Sequence, residues 1–219
     1  MAKRKSKDKE KSTKRLKSEA DLTDSEDTKA DETKPSDRST TESKDETTEK
    51  HYWLFKGEPE TRIVRGQDVK FSYFDLEREQ KPVCWEGVRN YEARNSMKQM
   101  KVGDYGFFYH SNCKQPGIVG IVRVVKQAYP DYSAWDDKHP YFDEKTDKDN
   151  PRWFMVDVES VRALPRLVGL HELRTEMAAG GEGSPLWAMK LLRRGRLSVC
   201  PVTEGEWNHV ISMADRVVD

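Results

Sequence analysis

Every aromatic residue of this chain, 21 in all, lies between positions 51 and 219, and the first 50 residues hold none. Those 50 residues carry 14 basic and 14 acidic groups, 15 Ser or Thr, and only six apolar side chains. Such a segment cannot bury enough surface to offset the entropy of ordering it, so residues 1–50 are expected to form a disordered, charged tail. The remaining 169 residues suffice for one domain with an ordinary core, and 51–219 is read as that domain.

Charge divides the tail again. Residues 1–17 hold nine Lys or Arg against two acidic groups, a net +7, whereas residues 18–50 hold five against twelve, a net −7. Lys3-Arg4-Lys5 and Lys14-Arg15-Leu16-Lys17 are separated by eight residues. Paired basic clusters read as a two-part nuclear localisation signal that a nuclear import receptor would bind, or as a nucleic-acid-binding arm; the bland alternative is a solvating tail.

No apolar run approaches the roughly 18 residues that span a bilayer, and no apolar stretch of a secretory signal opens the chain, so a soluble, unexported protein with no membrane partner is expected. Three cysteines (Cys84, Cys113 and Cys200), odd in number and without a CxxC pair, argue against a disulfide framework or a thiolate zinc site. His110 and Cys113 are too few ligands for zinc, and Asp143, Asp147 and Asp149 lack the spacing of a calcium loop. Gly180, Gly181 and Gly183 follow a predicted helix without a GK[ST], so no phosphate loop is implied. No cofactor is expected.

Within the domain, His51 to Lys56 is a β-rich run stopped by Gly57 and Pro59 and predicts a first strand. Ser72 is placed to cap a short helix, and Trp85 to Lys101 predicts a longer one ended by Gly103. At about 100° per residue, Ala93, Met97 and Met100 share one face of that helix and Tyr91, Arg94, Lys98 and Lys101 another. Asp104–His110 and Ile118–Lys126 predict strands, the second nearly unbroken apolar, as in a sheet covered on both sides. The short link between them implies an antiparallel hairpin. Residues 130–151, with seven acidic and three basic groups, are expected to be a long surface loop. Trp153–Val161 and Arg196–Cys200 predict further strands, with a short helix near His171–Met177 between them. A capping-box spacing at Thr203–Glu206 and the stripe Trp207, Val210, Ile211, Ala214 predict a docked C-terminal helix. Without βαβ repetition the expectation is a curled, barrel-like α+β domain of five or six strands and three or four helices.

The densest polar-aromatic segments are Trp53–Pro59, Cys84–Asn90 and Tyr109–Cys113, each at the end of a predicted element, where rigid scaffolds present recognition groups. Together they supply aromatic faces, amide edges and cations, the kit for holding a nucleobase removed from its stack. The opening YWLFKGEPE, the central WEGVRNYEARN, the YHSNC after GDYGFFYH, AYPD at 128–131, DNP at 149–151 and RLSVCPVTEGEW resemble, in that order, the EVE domain family of the PUA-like group over residues 51–213. The resemblance implies a mixed β pseudo-barrel with flanking helices, related to readers of methylated adenine in RNA, and a pocket for a modified base in DNA or RNA. Carried over by motif, that pocket would be built around Trp53, Glu58, Trp85, Val88, Arg89, Asn90, Tyr109, His110, Ser111 and Asn112.

On physical grounds Trp85 is the candidate stacking wall, Asn90 or Asn112 the reader of an amide-like base edge, and Arg89 with Arg94, Lys98 and Lys101 the phosphate contacts. Against each stands an ordinary role: core packing for the tryptophans, a solvated helix face for the cations, a satisfied structural histidine for His110. Three functional readings follow. The first is a non-catalytic nuclear module that holds a modified cytosine or adenine of a nucleic acid in an aromatic pocket. The second is a protein-interaction module with a vestigial pocket. The third is a hydrolase or base-modifying enzyme using His110 with Ser111 or Cys113, which no GxSxG elbow supports.

Overall fold

A computed structural model describes residues 50–216. Residues 1–49 of the expected tail, with Lys3, Arg4, Lys5, Lys14, Arg15 and Lys17, lie outside the described residues. The chain folds as a mixed α+β domain around a six-stranded sheet. Along the chain come β1 (Tyr52–Gly57), the short pair β2 (Ile63–Val64) and β3 (Gln67–Asp68), α1 (Tyr73–Glu79), β4 (Val83–Cys84) and α2 (Tyr91–Met97). Then follow β5 (Tyr105–His110), β6 (Gly117–Pro130), β7 (Phe154–Gly169), α3 (Leu170–Gly180), α4 (Lys190–Arg193), β8 (Val199–Val202) and α5 (Glu204–Ala214). The sheet order is β4-β7-β6-β5-β1-β8.

The predicted hairpin forms: β5 and β6 pair antiparallel, with Tyr105 opposite Arg123 and His110 opposite Gly117. β1 lies between β5, to which it is parallel, and β8, to which it is antiparallel, and its Leu54 and Phe55 are fully buried. The long β6–β7 ladder shifts register four times. Each bulge bends its strand and steepens the local twist, which curls the sheet towards a barrel. In the largest irregularity, Gly120 pairs with Ala163 and Ile118 with Val168, so the residues between Ala163 and Val168 loop out. Pro165, which has no N–H to give to the ladder, sits in that excursion.

Three expectations change, and one unforeseen element appears. The helix predicted over Trp85–Lys101 is confined to Tyr91–Met97, because Gly87 takes φ +77 and Asn90, extended, caps the helix by accepting from Ala93 N–H at 3.0 Å. Trp85–Asn90 has no regular secondary structure, and the Trp85 N–H donates to the Val156 carbonyl at 2.7 Å. The strand expected to end at Val161 continues to Gly169. The predicted loop 130–151 is not merely superficial: it contains a 3-10 turn, Tyr132–Trp135, and buries Asp131, Ser133 and Ala134. Finally, β2 and β3 form a hairpin with Arg65 (φ 48) and Gly66 (φ 80) at its tip, the pair of positive φ angles that a type I′ turn demands.

Both predicted helix caps form. Ser72 and Asp75 make a capping box on α1, and Thr203 and Glu206 one on α5. Helix α5 docks through Trp207, stacked on Phe107 at 4.1 Å and on Tyr52 at 4.5 Å. Ala93 and Met97 are buried on α2, and Met100, just beyond its end, is buried too. Among the described residues no helix is long and apolar enough to cross a membrane, and no group of three or more His, Cys, Asp or Glu could hold a metal ion.

Candidate functional site

The turn after β1, the β2–β3 hairpin with the chain leading into α1, the segment Val83–Arg89 and the loop His139–Tyr141 enclose a cleft of about 570 Å³. That volume is ordinary for a small-molecule site. Its apolar side includes Phe71, Trp85 and Val88. Phe55, Phe71 and Phe108 meet Trp85 edge to face at 5.1, 6.0 and 5.5 Å between centroids, so three rings fix the indole's orientation. Tyr141 packs against Gly87, where an added Cβ would lie 2.5 Å from its ring. Glycine at 87 therefore serves both the positive φ and the close approach.

The polar side centres on Glu58. Its Oε1 accepts from Arg62 Nη1 and from Asn112 Nδ2 at 3.1 Å, whereas Oε2 is buried without a hydrogen-bond partner. An unsatisfied buried acceptor is costly, and this one belongs to a residue on the cleft wall. Lys56, also on the cleft, has its ammonium pKa lowered by burial and donates Nζ–H to the Gly195 carbonyl at 2.9 Å. Burial also raises the Tyr141 phenol above its ordinary value.

Arg89 braces the wall. Its Nη1 donates to Asp131 Oδ2 at 2.7 Å, its Nε to the Tyr141 carbonyl at 2.6 Å and its Nη2 to Ser133 Oγ at 3.2 Å. The guanidinium is thus spent on holding the 131–141 loop to the Trp85–Asn90 segment. The β2–β3 hairpin touches the same loop, through Gln67 Nε2 donating to the Lys138 carbonyl at 2.8 Å and Arg65 lying 5.6 Å from the Phe142 ring centroid.

Of the ten residues carried over by motif, Glu58, Trp85, Val88 and Arg89 line this cleft and Asn112 reaches it by its bond to Glu58. The other five lie elsewhere. Trp53 is in the core, its indole Nε1–H donating to Asp104 Oδ2 at 2.8 Å. Asn90 spends its side chain on the α2 cap. Tyr109 is buried, with Lys56 Nζ 5.6 Å from its ring centroid. His110 Nε2 accepts the Tyr73 N–H at 3.1 Å, and Ser111 Oγ donates to the Gly57 carbonyl at 3.1 Å. That imidazole nitrogen is therefore occupied and is not paired with the Ser111 hydroxyl, and burial pushes the Cys113 thiol up. All three cysteines are free.

Arg94, Lys98 and Lys101 do not line the cleft. Arg94 donates to the Arg152 carbonyl and lies 4.8 Å from the Tyr91 centroid, Lys98 sits 4.5 Å from the Phe154 centroid, and Lys101 is exposed. Phe71, Tyr141 and Asp131 were missed from sequence. AYPD at 128–131 was the one available signal for Asp131; nothing in the local pattern marks Tyr141 as a cleft residue.

A family model described as the EVE domain matches residues 51–213. The chain belongs to the EVE domain family. This EVE-domain chain is 48% identical over 167 residues to thymocyte nuclear protein 1 of Mus musculus, covering 75% of this chain and 74% of that protein. It is 49% identical over 166 residues to the Gallus gallus protein of the same name, covering 75% and 69%. Among solved structures, the human THYN1 protein in complex with 5-methylcytosine-containing DNA superposes with a TM-score of 0.75 at 46% identity, over 77% of the EVE-domain chain and 99% of that one. The DUF55 domain of human thymocyte nuclear protein 1 gives a TM-score of 0.73 at 46% identity, over 76% and 99%.

Proposed function

We propose that residues 51–219 form a non-catalytic nucleic-acid reader that takes one modified base, 5-methylcytosine in DNA, into the cleft between Glu58 and Trp85. The single observation carrying this reading is the buried Glu58 Oε2 without a partner on a wall of an aromatic cleft. A cytosine presents an exocyclic N4 amino group, the donor that a carboxylate accepts. The apolar surface of Phe71, Trp85 and Val88 suits a ring face and a methyl substituent, and stacking on an indole is worth roughly 1–3 kcal/mol per base. Similarity to a protein solved with 5-methylcytosine-containing DNA supports the choice of base and polymer.

The 51–219 segment carries 25 basic and 25 acidic groups, a net charge of zero. Its affinity then depends less on phosphate contacts, and less on salt, than that of a strongly basic binder. The relatives' name and the paired basic clusters of residues 3–5 and 14–17 support a nuclear protein whose tail engages an import receptor. Isotherms with otherwise identical duplexes carrying 5-methylcytosine or plain cytosine, at two salt concentrations, test the reading. A preference for the modified duplex at both salts is expected, and equal affinity overturns it.

A further inference from the structure

A second feature reaches the same cleft from the opposite end of the sequence. Residues 190–196 (KLLRRGR) hold four cations and no acidic group, within a 51–219 segment whose charges cancel. The Gly195 carbonyl at the tip of this turn accepts the Lys56 Nζ–H, and Ser198 just beyond it forms part of the cleft wall. The loop containing His139–Tyr141, also on the cleft, comes from the acidic stretch 130–151. A polyanion entering the cleft therefore meets attraction beside Gly195 and repulsion beside the acidic loop, which fixes the side along which its backbone runs.

The four cations are not equivalent. Lys190 and Arg194 share the single Glu92 carboxylate at 3.1 and 2.7 Å, which offsets one of their two charges. Arg193 lies 4.2 Å from the Trp187 ring centroid and donates Nε–H to the Trp187 carbonyl at 2.8 Å. Its two terminal nitrogens have no protein acceptor among the described residues. Arg196 is exposed and has neither carboxylate nor carbonyl partner among them. A guanidinium stacked on an indole has already lost much of its rotamer freedom, and its open fork matches the geometry of a phosphate. Arg193 and Arg196 stand either side of Gly195, whose carbonyl holds the cleft residue Lys56, whereas Arg94 is already engaged with the Arg152 carbonyl.

We infer that Arg193 and Arg196 bind the phosphates flanking the base held in the cleft, an inference that rests on the modified-base reading above. The test compares the full chain with Arg193→Gln/Arg196→Gln, with Arg193→Lys/Arg196→Lys, and with Arg94→Gln/Lys98→Gln. Two probes are used: a short duplex with one 5-methylcytosine, followed by fluorescence anisotropy across a salt series, and the phosphate-free nucleoside 5-methyl-2′-deoxycytidine, followed by calorimetry.

Removing two phosphate contacts should make the slope of log K against log salt less steep by about 1.8 and weaken duplex binding at low salt by about tenfold or more. The loss should be equal for methylated and plain duplexes, since backbone contacts carry no sequence information. The lysine pair should recover the slope, and nucleoside affinity should not change. An unchanged slope in the glutamine pair, or a loss that falls on Arg94→Gln/Lys98→Gln instead, overturns the inference while nucleoside binding keeps the base reading alive. A changed slope in a protein that never binds the nucleoside supports the phosphate turn and overturns the pocket. Failure of the unaltered chain to bind the duplex overturns both.

Discussion

Arg89 and Asp131 join two segments 42 residues apart through a 2.7 Å ion pair in which the carboxylate is completely buried. Asp131 also accepts from Gly87 N–H at 2.9 Å and from the backbone and hydroxyl of Ser133 at 3.0 and 2.5 Å, so the charge is satisfied on both oxygens. Removing one member of such a pair leaves an uncompensated buried charge or several stranded donors. Asp131→Asn should lower unfolding free energy by about 3–5 kcal/mol. Because the same contacts seat Tyr141 on the cleft, ligand binding should fall with it. Urea denaturation and nucleoside titration measure the two effects, and an unchanged denaturation midpoint would show that the loop is held by something else.

Glu58→Gln separates recognition from folding. The amide keeps the shape of the side chain but turns one end into a donor, which faces the N4 amino group of cytosine with another N–H. Affinity for 5-methyl-2′-deoxycytidine should drop by about 1–3 kcal/mol. Stability should hold or fall slightly, since the retained oxygen still accepts from Arg62 and Asn112 without its charge and the new amide N–H group has no partner at the other end. Wild-type affinity in the variant would mean that Oε2 does not meet the base.

The two tryptophans proposed from sequence should part company. Trp53→Phe deletes the indole donor to Asp104, which retains the Lys101 N–H at 2.9 Å, and should cost about 1–3 kcal/mol of stability with methyl-cytosine preference intact. Trp85→Leu should also destabilise, through the loss of its edge contacts with three phenylalanines, and should in addition cost about 1–3 kcal/mol of base stacking. Titration of both folded variants decides the matter: an equal binding loss in the two would place Trp53 in recognition.

What the sequence revealed of this fold follows from the range of the interactions involved. The β5–β6 hairpin, the capping boxes at Ser72 and Thr203, and the buried face of α2 each depend on neighbours within a few residues, and each is legible. The helix over-extended to Trp85 failed because the backbone N–H groups of Trp85 and Gly87 are taken by Val156 and Asp131, partners far along the sequence that the local pattern does not reveal. Strand β7 outruns its expected end because a bulge accommodates Pro165, a choice made by the partner strand. The cleft was half legible for the same reason. Glu58, Trp85, Val88 and Arg89 stand in compact motifs, whereas Tyr141 arrives from an acidic loop whose anchor is one buried aspartate. Proximity in the motif also misled: Tyr109, His110 and Ser111 adjoin Asn112, yet face the core and the β1 backbone rather than the cleft.

His110 gives the fold a pH dependence whose sign can be derived. Its Nε2 accepts the Tyr73 N–H, and burial lowers its pKa below the ordinary 6.5, with Asp75 opposing the shift only in part. The folded protein therefore binds fewer protons at this site than the unfolded chain as pH falls below 6.5. Stability from the neutral ring is fully present above 6.5 and is lost progressively as pH drops from there towards the lower folded value. Between pH 7.5 and 5, denaturant midpoints of the wild type should decline. His110→Gln, which retains an acceptor for the Tyr73 amide but cannot be charged, should decline less. The window lies above the range in which carboxylates such as Asp75, itself held below its usual value by Ser72, take up protons. Parallel curves for the two proteins would show that protonation of His110 is not opposed by the fold, and that the Tyr73 amide can do without its acceptor.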